Sequence, residues 1–260
     1  MSWASRRRTT YLFGVIAFFV IVLGVPTAYW YFSIPPTCSD GIRNQGETAV
    51  DKGGPCFVLD ERALQPYATL WARSFRIRDG SYNAVAYIQN PNQNAGVGTA
   101  HYRFGLYDPE NVLVAEREGV MYIMPGATTP VLEAKIDAGN RIVAHTYFEF
   151  TEPLVWERMA NNATAITLNN KDLSNTSDVP RLTATVKNTS VASRTDVSFV
   201  AVVFDPAGNA FAASATSLAQ LGADETSQIV FTWPDPFTIQ PGRIDIIPLA
   251  APMLVAAPAS

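Results

Sequence analysis

The run from Tyr11 to Phe32, YLFGVIAFFVIVLGVPTAYWYF, carries no charged residue. In a helix rising about 1.5 Å per residue it extends roughly 33 Å, enough to cross a hydrocarbon core of about 30 Å. Inside lipid every backbone N–H and C=O needs an internal partner, so a lone apolar segment crosses only as a helix. The run therefore predicts a transmembrane helix over 11–32 that divides the chain into residues 1–10 on one side and everything after 32 on the other. Arg6, Arg7 and Arg8 precede it, and Tyr29, Trp30, Tyr31 and Phe32 close it with rings suited to the headgroup region. The basic end is expected in the cytoplasm, which makes this a single-pass protein of the cell membrane with its bulk extracytoplasmic. A cleaved signal peptide shares the basic start and apolar core. Its cut, after Ala28, would put Pro26 where a small residue is wanted, so an uncleaved anchor is the expectation.

About 200 residues follow the anchor, room for two small domains. The formal charge of −4, with no basic block outside the first ten residues, leaves no electrostatic footprint for nucleic acid. The two cysteines, Cys38 and Cys56, both lie just past the anchor, on the side where a disulfide is permitted.

Residues 33–60 are rich in proline, glycine and polar side chains, which predicts a spacer without a long helix or strand. The spacing Cys38-x-Asp40-Gly41-x-x-Asn44-x-x-Glu47-x-x-x-Asp51-x-Gly53-Gly54-x-Cys56 resembles a short Cys-rich module of surface-anchored bacterial proteins, C-x-D-G-x-x-N-x-x-E-x-x-x-D-C-G-G-x-C. The chain departs from that pattern at Lys52, which stands where the family has Cys, and no further Cys follows Cys56. An even number of cysteines is left, so Cys38 and Cys56 are expected to close one loop. Asp40, Asn44, Glu47 and Asp51 concentrate oxygen atoms in that loop. Hard cations take six to eight oxygens, so the four are candidate calcium ligands, although the spacing is not that of an EF-hand loop. The bland alternative is a solvated, turn-rich spacer. No other cofactor is expected.

From Leu64 onward the texture is that of an all-β chain, with short alternating runs separated by turn signals. Trp71, Phe75 and Ile77 fall on one face of a strand, opposite Arg76 and Arg78. Tyr102, Phe104 and Leu106 share a face of the next long run, which ends in the turn Asp108-Pro109. Separate strands are expected at 112–116 and 120–123, and the set closes with RIVAHTYFEF, read with Ile142, Ala144, Phe148 and Phe150 inward. At an offset of 97 residues FGLYDP at 104–109 falls on AVVFDP at 201–206, Asn90 corresponds to Asn188, and the Gly126 turn to Gly222. Two tandem copies of one sandwich follow, over 61–160 and 161–252, with a tail at 253–260.

Phe104-Gly105-Leu106-Tyr107-Asp108 reads as an F-x-L-Y-D motif, and its surroundings resemble the FxLYD-type, immunoglobulin-like or fibronectin-like domains of microbial surface proteins; AVVFD is a degenerate second match. The resemblance implies tandem sandwiches used for adhesion, spacing or assembly and carries no catalytic residue. The residues themselves agree. His101 and His145 lack a third metal ligand, no G-x-S-x-G elbow or P-loop occurs, and Glu116 with Glu118 reads as solvated charge, so no enzymatic turnover is expected. Three sequons occur, at Asn162, Asn175 and Asn188. Val200, Val202 and Phe204 make the second face of their strand apolar as well, and such a face is ordinarily covered. They form a candidate interaction surface, covered by the first domain or by a partner protein; for the chain as a whole a protein partner or self-association is expected. The expected function is a membrane-anchored structural or binding protein; the alternative is an accessory subunit of a membrane-embedded enzyme or secretion complex.

Overall fold

A computed structural model of the chain describes residues 3–32, 38–44 and 46–256. Its helical part is α1 (Trp3–Phe19), a π-helical stretch at Val20–Gly24 and α2 (Val25–Phe32). The widened turn has a cause in sequence. Pro26 has no N–H to donate, and its ring crowds the carbonyl four residues earlier. The helix relaxes into a π turn just before it, and the Thr27 hydroxyl donates back to the Leu23 carbonyl. Within it, Thr10–Trp30 is long and apolar enough to cross a membrane and is buried nowhere in the protein.

The rest is β. The first copy contains β1 (Ala68–Arg78), β2 (Ser81–Gln89), β3 (Ala95–Tyr107), β4 (Leu113–Ile123), β5 (Thr128–Asp137), β6 (His145–Phe150) and β7 (Glu157–Ala160). The second contains β8 (Ile166–Ser174), β9 (Arg181–Asn188), β10 (Arg194–Phe204), β11 (Ala210–Leu221), β12 (Thr226–Thr232) and β13 (Arg243–Leu249), followed by the short β14 (Met253–Leu254). The orders β1-β2-β5 and β4-β3-β6 in the first copy recur as β8-β9-β12 and β11-β10-β13 in the second, all antiparallel. The internal repeat is thus a repeat of topology.

Matched side chains hold matched turns. Asn90 and Asn188 are both fully buried. The Asn90 amide donates to the carbonyls of Ala95 and Met124; that of Asn188 donates to Ala192, Leu221 and Gly222. Asp108 and Asp205 likewise accept the backbone N–H four residues on, at 2.8 and 2.7 Å. The two turns also share a left-handed residue, Asn111 in one and Gly208 in the other. The motif's aspartate is therefore a turn staple.

Some sequence expectations need correction. Residues 112–116 and 120–123 belong to one strand, β4, which runs through Gly119 beneath the Tyr102 hydroxyl. Ile142 precedes β6 and is 71% exposed, whereas Phe148 and Phe150 do pack on the core.

The two sandwiches are stacked face to face. One core lies between β1-β2-β5 and β3, β4 and β6, around Phe104, Leu106 and Ile88. A second lies between the two sheets of the other copy, around Phe199, Leu182 and Phe231. A third apolar layer joins the copies: Phe75, Val85 and Tyr87 of the first sandwich meet Val200, Val202, Phe204 and Ala213 of the second. Trp71 lies over this layer with its ring 4.4 Å from that of Tyr87 and 6.3 Å from that of Phe204. The apolar side of β1 thus faces the other domain. The face formed by Val200, Val202 and Phe204 is not a free interaction surface, since the first domain covers it. Strands β2 and β10 are buried on both faces, and their alternate residues feed different layers.

Burying each of the three side chains on the β10 face contributes about 1.5–3 kcal/mol. Val202 is fully inaccessible. Replacing it with Glu forces an unpaired carboxylate into this layer and is expected to lower stability by about 4 kcal/mol in chemical denaturation. Val191→Glu, at a position 95% exposed, should leave the transition unchanged.

Candidate functional site

Two features project from, or are attached to, the stacked block: the exposed helix and the cysteine module that follows it. Cys38 and Cys56 form a disulfide with Cα atoms 5.5 Å apart. Inside the loop the four oxygen-bearing residues lie close together, and their side chains organise the backbone. Asp51 accepts the N–H of Asp40 at 3.0 Å and of Gly41 at 3.1 Å. Asp40 accepts from the Ile42 N–H at 2.8 Å and from the Asn44 amide at 2.9 Å. Glu47, only 5% exposed, accepts the N–H groups of Asn44 and Asp51 through Oε2, and its Oε1 lies 3.3 Å from Cys56 Sγ. A loop this short has too few residues for a ladder or helix, so its carboxylates take the acceptor role that secondary structure plays elsewhere.

Among the described residues, the cluster whose ligand atoms are close enough to share a metal ion is Cys38, Glu47 and Cys56. The two sulfurs are bonded to each other, so neither is a thiolate. The module is best accounted for as a hydrogen-bonded knot around a buried carboxylate.

The knot is seated on β7. Leu59 donates to the Trp156 carbonyl and Arg158 to the Phe57 carbonyl, both at 2.7 Å, and Arg158 Nη2 reaches the Gly54 carbonyl at 3.1 Å. Val58 bridges Glu157, and just beyond it β14 pairs with Met159 and Ala160. The opposite edge of β7 pairs with Ala95 and Gly96 of β3. Strand β7, which carries the chain between the copies, thus gathers the module, the first sandwich and the segment after the second. The expected boundary between the copies, at 160/161, falls at its end, but the clasp itself is illegible in sequence, because the four residues ERMA carry no alternation long enough to read.

The remaining sequence candidates separate. His101 and His145 lie on paired strands, yet His145 is opposite Tyr107 while the His101 carbonyl meets Thr151. At about 3.3 Å per residue this puts them about 20 Å apart along the ladder. Glu116 lies 3.5 Å from Arg103, which also pairs with Glu149 on the exposed face. Those neighbours raise the Arg103 pKa above its ordinary value, first through the hydrogen bonds that Arg103 donates to Glu149. Asn188, one of the sequons, has no exposed amide to modify. Titration is most perturbed at buried tyrosines: burial pushes Tyr122 up to about 12, and burial with the Glu133 hydrogen bond raises Tyr102 further. Both are neutral at any physiological pH and serve packing.

Removing the disulfide as Cys38→Ser with Cys56→Ser should cost the module about 3 kcal/mol by the loop-entropy argument. Glu47→Ala leaves two N–H groups unpaired and should cost about 1–3 kcal/mol. Limited proteolysis is the readout: cleavage within 38–56 should accelerate in both variants while 61–256 stays intact. Millimolar calcium should leave the wild-type cleavage rate unchanged.

No protein-family profile matches the chain, and no curated protein matches it in sequence. Among solved structures, the transglutaminase of red sea bream is 8% identical over 69% of this chain and 31% of its own, with a TM-score of 0.23. The β-glucuronidase of Bacteroides uniformis is 13% identical over 68% of this chain and 23% of its own, with a TM-score of 0.18. The chain spans less than a third of either protein, and similarity at this level carries no argument about activity.

Proposed function

We propose that the chain is a membrane-anchored, extracytoplasmic structural or binding protein, held by residues 11–32 with its N-terminal end in the cytoplasm, that presents a double β-sandwich to a protein partner for scaffolding or assembly, without turnover. The observation that carries this reading is that no part of Thr10–Trp30 is buried in the protein, beside a block whose two sandwiches cover each other's apolar faces. Fifty to seventy per cent exposure of residues such as Leu12, Phe13, Ile21 and Leu23 is untenable in water, and lipid is the solvent that suits it. The disulfide agrees with an oxidising compartment on the far side of the membrane. The triple arginine agrees with the orientation.

A second reading has its own observation. The π turn at Val20–Gly24 interrupts the regular helix in mid-span, and such turns are frequent where helices perform a function. That favours a helix whose side contacts a membrane-embedded enzyme or secretion complex, with this chain as accessory subunit.

Cross-linking the full-length protein in its native membrane, followed by mass spectrometry of the attached chains, separates the two. Links from 61–256 to a surface protein, or to a second copy, are the expected result. One dominant membrane partner linked only through residues 1–32 would replace the scaffold reading by the accessory-subunit one.

A further inference from the structure

Five residues, 33–37, separate the end of the apolar helix at Phe32 from Cys38. Whatever their path, six Cα steps reach no more than about 20 Å. If the helix crosses a bilayer, the headgroup layer takes up the first 5–8 Å or so of that distance. The cysteine knot is thus held at the lipid surface by the length of its tether.

What the knot exposes suits that place. Ile42, Val50 and Phe57 are 62%, 48% and 46% exposed in a loop built mainly from polar residues and glycine. Asp51 accepts the N–H groups of Asp40 and Gly41, which draws together the stretches that carry Ile42 and Val50. Phe57 begins the segment that runs along β7, and there it meets the end of β14. The Arg158 N–H donates to the Phe57 carbonyl, and the Arg158 carbonyl accepts the Val255 N–H at 3.0 Å. Residues opposite one another in an antiparallel ladder share a face, so Phe57, Val255 and Met253 project on the side of Arg158 and Ala160. Met253 and Val255 are exposed as well. Scattered apolar residues on a surface need no explanation, but a contiguous strip marks a protein or membrane contact. The charges favour the membrane. Asp40, Glu47 and Asp51 spend their carboxylates on the loop's own backbone, while Arg43 and Lys52 stay exposed. Apolar groups flanked by cations are what interfacial segments present to headgroup phosphates and the acyl boundary.

We propose that the strip formed by Ile42, Val50, Phe57, Met253 and Val255 rests in the headgroup layer of the membrane that the helix crosses. The β block is then seated on the lipid through its β7 edge and does not swing from its tether. The assignment rests on the anchor reading given above, and the tether supplies the occupant, because it brings this surface to the bilayer without any partner.

The test uses the full chain in phosphatidylcholine nanodiscs holding one copy each, with 4-fluorophenylalanine introduced singly in place of Phe57, Phe18 or Ile142. Ile142 is the distant control: it is exposed and lies past the Tyr107 end of β3, roughly 40 Å along that strand from the contact with β7. Fluorine line broadening is read with a lipid carrying a nitroxide near the top of its acyl chain and with a water-soluble gadolinium chelate. The nitroxide lipid should broaden the signal at 57 at least threefold more than at 142, and the chelate should do the reverse. Ile42→Ser combined with Val255→Ser, both at exposed positions, should at least halve that difference while leaving the thermal transition in place. Equal chelate access at 57 and 142 overturns the proposal. So does a double variant that behaves like the wild type, since proximity through the tether alone would survive it. Protection at 57 that requires two copies in one disc also overturns it, by making the occupant a second copy. The signal at 18 separates the two readings: broadened by the nitroxide lipid while 57 is not, it leaves the anchor and removes the docking; not broadened, it removes both.

Discussion

The architecture of the β block depends on the layer in which Phe75, Val85 and Tyr87 meet Val200, Val202 and Phe204. Tandem sandwiches joined end to end each keep one core and stay independent. These two share a third apolar interior, so β2 and β10 become strands with no solvent face. Such strands read as continuous apolar runs, which is why SYNAVAYIQ and DVSFVAVVF lack the clean alternation of their neighbours. The cost appears at Tyr87, whose hydroxyl is buried in the layer without a partner among the described residues. Burial raises its pKa well above the ordinary phenol value, helped by nearby Asp245 and opposed by Arg243. Arg243 in turn lies over the Phe204 ring, 4.1 Å from its centroid, and closes that edge of the layer with a cation–π contact.

The stacking is asymmetric. Sheet β1-β2-β5 of the first copy meets sheet β11-β10-β13 of the second, so equivalent faces are not paired with each other. An arrangement of this type does not close on itself, and a third copy would extend it. The two faces left over show why it stops. On β3 the positions matching Val200, Val202 and Phe204 are Arg103, Gly105 and Tyr107, and Arg103 is engaged by Glu116 and Glu149. On β9 the outward residues include Thr183, Thr185 and Lys187, where β2 has Val85 and Tyr87. Ion pairs and hydroxyls end the series that apolar residues begin.

Much of this was legible in the residues. The uncharged 11–32 run, the strand periodicities and the 97-residue repeat all follow from rules acting over a few neighbours, and the matched buried Asn90 and Asn188 were visible as matched letters. The apolar second face of β10 was legible as a demand for cover, but its cover sits more than a hundred residues away and no local pattern names it. Carboxylate clustering in the cysteine loop was equally visible. Its purpose was not, because backbone N–H groups lacking a ladder leave no trace in sequence, and Asp40, Glu47 and Asp51 serve those groups.

The seating of the cysteine module on β7 bears on how tension travels through the molecule. A pull on the helix reaches Cys38 and passes directly to Cys56, so the 18-residue separation between them never extends. From there it arrives at Phe57–Leu59, which are hydrogen-bonded along Trp156–Arg158 at the junction of the two sandwiches. Force from the helix is therefore delivered to the middle of the block, where the ladders with β3 and β14 spread it to both halves, instead of peeling one domain from its end.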